Sequence, residues 1–177
     1  ELFGFWYGEA AEAGQAHKRW LEKNAAFDAE VRRRFLPLYE ALAGNQEWLA
    51  RADECLARII VLDQFPRNMF RGSARAFAAD PLALAAARHA VAQGYDRELL
   101  AVERQFVYLP FEHSESLADP ERARELMRPL AAELYDWALR HKRIIERFGR
   151  FPHRNAILGR ESTPEELDFL KQPGSGF

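Results

Sequence analysis

Three short segments hold most of the side chains that could do chemistry: Asp63-Gln64-Phe65-Pro66-Arg67-Asn68, Tyr108-Leu109-Pro110-Phe111-Glu112-His113-Ser114-Glu115 and Gly149-Arg150-Phe151-Pro152-His153-Arg154-Asn155. Each sets an aromatic-proline step, or its near equivalent, beside a dense polar cluster. The first and third echo one another, with Phe-Pro-Arg-Asn against Phe-Pro-His-Arg-Asn, and each is followed by a further arginine, Arg71 or Arg160. A guanidinium donates two parallel hydrogen bonds to a carboxylate or phosphate, and a neighbouring amide can donate a third. Asp63, Gln64, Arg67, Asn68, Arg71, Glu112, His113, Ser114, Glu115, His153, Arg154, Asn155 and Arg160 are therefore the candidate binding residues, expected to converge on a small anion. The competing reading is structural: Arg67 and Arg154 pair with Asp63, Glu112 or Glu115 and fasten helix ends whose backbone groups otherwise lack partners.

Other chemistries have less support. His113-Ser114-Glu115 contains the residue types of a hydrolytic triad, yet side chains this close in sequence rarely face one another as nucleophile, base and orienter. A metal bound by His113, Glu115 and His153 would suit imidazole and carboxylate chemistry, but no helical His-x-x-x-His or paired-cysteine spacing accompanies it, so no metal or other cofactor is expected. His141 falls four residues after Trp137 and three before Ile144, on the apolar stripe that also includes Leu130, Leu134 and Phe148, and should point inward.

The elements that must position these groups are helices. Alanine, leucine, arginine and glutamate dominate, and apolar residues recur at spacings of three and four almost throughout. One helix spans Asp28–Ala43, with Val31, Phe35, Leu38 and Leu42 on its buried face, a bend at Pro37 and a left-handed cap at Gly44. A second begins near Asp53 and should stop about Phe65, ahead of Pro66. A short helix starts at Ser73. Asp80-Pro81 should cap the next, which carries Leu82, Leu84 and Val91 to Gly94. Asp96 should cap another, carrying Leu99, Leu100, Val102 and Phe106 to a stop at Pro110. Asp119-Pro120 opens a long helix that kinks at Pro129 and ends near Gly149. Thr163-Pro164-Glu165-Glu166 reads as a capping box before Leu167 and Leu170.

Seven or eight short helices joined by short turns predict an all-α stack of α-hairpins. No 34-residue repeat is visible, so the expectation is a degenerate right-handed solenoid.

With 177 residues, 48% of them apolar, the chain is expected to form a single helical domain over 1–177, with 171–177 a frayed tail. The lone Cys55 lies among Leu56, Ile59 and Ile60 and should pack as a small hydrophobe; a reducing cytoplasm is the expected setting. Trp6, Trp20, Trp48 and Phe27 are also read as core. The N-terminal residues are acidic and aromatic, and no apolar stretch approaches the roughly 18 residues that span a bilayer, so no membrane association is expected. The net charge of −2 conceals ten Arg/Lys against five Asp/Glu over residues 120–160. Interspersed charge along a long helix reads as a solvated face, and nucleic acid is not expected as a partner.

Beyond these features, Leu62 to Asn68 with Phe70-Arg71-Gly72, Ala76-Phe77-Ala78 before Asp80, Tyr108-Leu109-Pro110-Phe111 before His113-Ser114-Glu115, Phe148 to Asn155, Leu158-Gly159-Arg160, and Ser162-Thr163 before Glu165-Glu166 with Phe169-Leu170 occur in one order. In these motifs, and in the opening Phe5-Trp6-Tyr7-Gly8, the sequence resembles the bacterial domain-of-unknown-function family 924. Two departures stand out: Tyr7 replaces an expected phenylalanine, and Pro129 interrupts the long helix. The resemblance implies an all-α, tetratricopeptide-like fold in a bacterial protein, and it brings no substrate, reaction or catalytic residue.

Three classes of function fit these residues. A helical binding module would present an Arg/His/Glu pocket to a small anion or an acidic peptide terminus. A hydrolase would use Glu112, Glu115 or Asp63 as base and His113 or His153 as acid. A pure interaction scaffold would use the polar turns only to hold its helices and would meet partners through an exposed apolar groove. The sequence alone leaves the oligomeric state open.

Overall fold

A computed structural model describes residues 1–8, 20, 23–45 and 47–176, and among the described residues every regular element is helical. The chain forms two compact units, the first comprising Glu1–Arg71 and Arg75–Pro110 and the second Gly72–Ala74 and Phe111–Phe177. The first contains α1 (Leu2–Tyr7), α2 (Ala25–Ala43), α3 (Ala52–Ile59), α4 (Phe65–Met69), α5 (Asp80–Gln93) and α6 (Ala101–Glu112) as far as Pro110. The second contains the end of α6, then α7 (Ala118–Met127), α8 (Ala132–Phe148) and α9 (Pro164–Leu170).

In the first unit the α2 face expected from spacing is buried through Val31, Phe35, Tyr39 and Leu42, while Leu38 is only partly covered. This helix begins earlier than expected, because the Asn24 side chain accepts from the Ala26 and Phe27 amides and satisfies donors that a helix start leaves open. Pro37 lies inside it, and Gly44 has φ −96°, not the left-handed cap expected there.

Pro66 does not end the second helix. A π-helical turn, Ile60–Gln64, joins α3 to α4, and the Phe65 amide reaches back to the Ile60 carbonyl. The widened turn accommodates a ring that would clash with the preceding turn of an ordinary α-helix, so the rod continues to Met69. Counting α3, the π turn and α4 as one rod, the described residues form eight. Ile59, Ile60, Leu62 and Phe65 on it are fully buried, as is Cys55, whose thiol burial pushes up to about 11.

Helix α5 packs on α3 through Ala83, Ala86, Ala87 and Ala90, whereas Leu82, Leu84 and Val91 are only partly covered. Spacing alone favoured the leucines; the small alanines are buried in this packing. Gly94 closes α5 with φ 76°, a left-handed conformation in which a side chain would be strained. Asp96 caps no helix: it lies in a 3-10 turn, Tyr95–Glu98, is buried, and accepts the Tyr108 hydroxyl at 2.7 Å. Helix α6 passes through Pro110 to Glu112, and Leu100 before it is exposed.

Trp6 is fully buried and stacks at 5.9 Å on the partly covered Trp20, and Phe27 stacks at 5.4 Å on Phe5. Trp48 is half-buried with φ 64°. Beside it, the buried Arg58 donates to the Asn45 carbonyl at 2.7 Å and to the Glu47 carbonyl at 2.9 Å, fastening the loop before α3.

In the second unit, the expected long helix is two. Residues 128–131 separate α7 from α8, so Pro129 marks a break and not a kink. The helices pack against one another, with Ala123 and Met127 buried on α7 and Ala138, His141, Ile144 and Ile145 on α8. Trp137 is 38% exposed, so His141 is buried and its neighbour on the expected stripe is not. Ile144, Ile145 and Phe151 form a core against which Phe148 and Phe169 pack. Thr163 and Glu166 make the predicted capping box at α9. The chain beyond α9 folds back: Ser175 is buried and donates to the Leu170 carbonyl at 3.1 Å, while Phe177 lies outside the described residues.

Candidate functional site

The first polar segment belongs to the first unit, where it sits on the π turn and α4. Asp63 is fully buried; the Gln64 amide donates to it at 2.6 Å, and the Arg67 guanidinium lies 3.4 Å from its carboxylate. Arg67 also donates to both oxygens of Asp80 at 2.9 and 3.1 Å and to the Asp63 carbonyl. Asp80, expected from its sequence position to cap α5, instead shares Arg67 with Asp63. Burial works against the charge on Arg67, yet Asp63 and Asp80 hold its pKa above the ordinary value. Asn68 and Arg71 converge on one carboxylate from outside the three polar segments, Asp28 in the first turn of α2, at 2.7 and 2.8 Å. Burial raises the pKa of Asp28, but the bonds from Arg71 and Asn68 win and hold it below the ordinary carboxylate value.

The second segment from Phe111 onward and the whole third segment belong to the second unit, which contains Glu112, His113, Ser114, Glu115, His153, Arg154, Asn155 and Arg160. Glu115 accepts a bidentate pair from Arg160 at 2.7 and 3.0 Å and the Phe151 amide at 2.8 Å. Desolvation opposes its charge, but those three donors and the nearby Arg154 hold its pKa low. The Arg160 Nε donates to Asn155 Oδ1 at 3.0 Å, and Asn155, fully buried, donates in turn to Ser162 at 3.0 Å and to Glu166. Glu166 binds Arg150 through two bonds at 2.7 and 2.8 Å and accepts the Thr163 amide, so its pKa falls to about 2, with the Arg150 bond the largest cause. A capping box visible in the sequence therefore also anchors the third turn to α9.

Ser114 donates to Asp119 at 2.7 Å and accepts the Ser116 amide at 3.2 Å, which commits its hydroxyl to the turn entering α7.

Around Phe151 lies a different set. Arg154, buried, holds its guanidinium 4.6 Å from the centre of the Phe151 ring; His153 lies 5.7 Å and His141 5.8 Å from it, and His113 lies 6.2 Å from His141. The His141 Nδ1 is 2.9 Å from the Trp137 carbonyl and 3.3 Å from the Glu112 carboxylate, so both neighbours of this nitrogen are oxygens and the neutral ring carries its proton there. Burial, aided by the positive charges of His113, Arg154 and His153, pushes His141 down to about 3. Sequence spacing showed that His141 points inward, but not that Glu112 and the third turn meet it. Among the described residues, no group of three or more His, Cys, Asp or Glu side chains is arranged to hold a metal ion.

Of the four arginines that the sequence marked as anion donors, Arg67, Arg71 and Arg160 are each bonded to carboxylates of their own unit, and Arg154 lies over the Phe151 ring.

Among the described residues the regular elements are all helical. The chain belongs to the family described as bacterial protein of unknown function (DUF924), whose sequence profile matches residues 2–174. A solved structure of a protein of unknown function from Agrobacterium tumefaciens is similar over 87% of this chain and 89% of that one, with 46% identity and a TM-score of 0.85. Nothing among curated proteins matches the chain.

Proposed function

We propose that the protein is a cytoplasmic helical binding module that takes a small anion, or the carboxylate terminus of an acidic peptide, at the cluster of His113, His141, His153 and Arg154 around Phe151. The observation that carries this reading is the gathering of Arg154, His141 and His153 about the buried Phe151 ring, with Arg154 4.6 Å and His141 5.8 Å from its centre and His113 6.2 Å from His141. Such a group attracts negative charge, and its partial burial strengthens that attraction relative to water. In this reading Glu115, Asn155 and Arg160 hold the third turn in place, and Asp63, Gln64, Arg67, Asn68 and Arg71 fasten the first turn. The helices act as a tetratricopeptide-like, degenerate right-handed solenoid. The match of one family profile to residues 2–174, spanning both units, supports treating the chain as one domain.

A thermal-shift series tests the proposal: millimolar phosphate, sulfate or a small carboxylate should raise the melting temperature by mass action, and zinc or manganese should do less. Arg154→Ala should abolish the anion response. Stabilisation by divalent metals with none by anions would overturn it.

The 3.3 Å approach of Glu112 to His141 Nδ1 favours one second reading, an acid–base enzyme in which the carboxylate orients the imidazole. Turnover of an ester or phosphoester panel, lost in Glu112→Gln while anion binding persists, would establish it. Failure of both assays would leave the protein-interaction scaffold.

A further inference from the structure

We propose that the exposed face of α8 is a self-pairing surface, on which a second copy of this chain docks antiparallel about a two-fold axis at the level of Ala138.

Helix α8 buries one side through Ala138, His141, Ile144 and Ile145, and leaves Glu133, Asp136, Trp137, Arg140 and Arg143 exposed on the other. Spacings of three, four and seven gather these five side chains into one stripe. Its charges are segregated along the helix. Glu133 and Asp136 lie five and two positions before Ala138, and Arg140 and Arg143 lie two and five positions after it. Among the described residues, none of these four makes an ion pair within the chain, whereas Lys142 and Arg147 on the same helix are engaged by Glu146 and Glu165.

Turning the helix end for end about a perpendicular axis at Ala138 lays its acidic half over the basic half of the other copy. At a rise of about 1.5 Å per residue, Glu133 then lies level with the other copy's Arg143, and Asp136 with its Arg140. The two-fold axis repeats each opposition. A parallel arrangement would set like charges against one another, so the order of charges selects the antiparallel one. Trp137, 38% exposed, stands one position from the axis with the Arg140 guanidinium 4.9 Å from its ring centre. That contact uses the face of the guanidinium and leaves its N–H edge to donate to a carboxylate. Docking therefore covers one indole from each copy at the centre and surrounds the pair with opposite charges, the distribution usual for an interface between proteins. A stripe on one helix falls below the standard interface of about 1,600 Å², so the dimer is weak and sensitive to salt.

Sedimentation velocity on the wild-type chain, from about 10 µM to 1 mM, should show a monomer–dimer equilibrium that weakens at least about tenfold between about 0.05 and 0.5 M sodium chloride. Two double variants test the pairing. Glu133→Arg with Asp136→Arg makes the stripe wholly basic, and Arg140→Glu with Arg143→Glu makes it wholly acidic. Circular dichroism checks that each stays helical, and the single reversals Glu133→Arg and Arg143→Glu carry the same test where a double variant does not fold. Each variant alone should dimerise at least about tenfold more weakly than wild type, because symmetry counts every lost pair twice. Mixed in equal amounts, the two should form a heterodimer at least as tight as the wild-type dimer. A wild-type chain that stays monomeric to about 1 mM at low salt overturns the proposal. So does a dimer that either variant leaves unchanged, which would place the contact on another face, and so does a mixture of folded variants that fails to associate.

Discussion

Replacing His141 by glutamine should flatten the acid side of the stability profile. In the folded chain burial, with the charges of His113, Arg154 and His153, holds the imidazole down to about 3, against an ordinary value of 6.5. Below pH 6.5 the unfolded chain therefore gains a proton that the folded chain refuses, and falling pH favours unfolding. This contribution is complete above about 6.5, drains away on descent, and is gone near 3. Each pH unit inside that window costs up to about 1.4 kcal/mol for one such group, so going from about pH 6.5 to 4.5 should remove about 2–3 kcal/mol that is specific to His141. Urea denaturation at several pH values in that interval, on wild type and His141→Gln in parallel, reads the difference. Titrating groups that do not interact with His141 act on both proteins and cancel. A lower starting stability of the variant does not affect the test, because only the slopes are compared. Parallel profiles, or an imidazole resonance that titrates near 6.5 in the native protein, would show that His141 is neither desolvated nor opposed by its neighbours.

Asn155→Ala should lower stability by about 2–4 kcal/mol, since it strands Arg160, Ser162 and Glu166 around a fully buried position, and denaturation should show it. Glu166, held near 2 by Arg150, contributes stability that is full above its ordinary 4.5 and lost as pH falls toward 2, so Arg150→Gln should narrow the acid range over which the protein stays folded. Arg67→Ala leaves Asp63 buried without its nearest guanidinium and should cost about 3–5 kcal/mol, whereas Arg71→Ala, at a more exposed pair, should cost about 1 kcal/mol or less. Cys55, buried with its thiol pushed up to about 11, should resist thiol reagents in the native protein and react in denaturant; rapid native labelling would contradict that packing.

Local rules set much of this protein. The spacing of Val31, Phe35 and Leu42 identified a buried helix face, Gly94 and Gly149 ended helices in the left-handed conformation, and Thr163 with Glu166 formed a box that needs only four consecutive residues. Each depends on interactions within a turn or two of helix, which the sequence encodes directly. The inward direction of His141 and the burial of Cys55 followed from the same periodicity.

Tertiary packing decided the rest. Pro66 and Pro110 stayed inside helices because surrounding structure tolerated them, in the first case through a π turn, and Pro129 became a break between two packed helices. Asp80 and Asp96 have the residue type of caps, yet their carboxylates were claimed by Arg67 and Tyr108 from 13 and 12 positions away. The same holds for the partners of the candidate site. Asp28 meets Arg71 across 43 positions and Glu115 meets Arg160 across 45. A charged group takes whichever opposite charge the packed chain delivers within about 4 Å, and residue types can nominate candidates for such a pairing but cannot supply that distance.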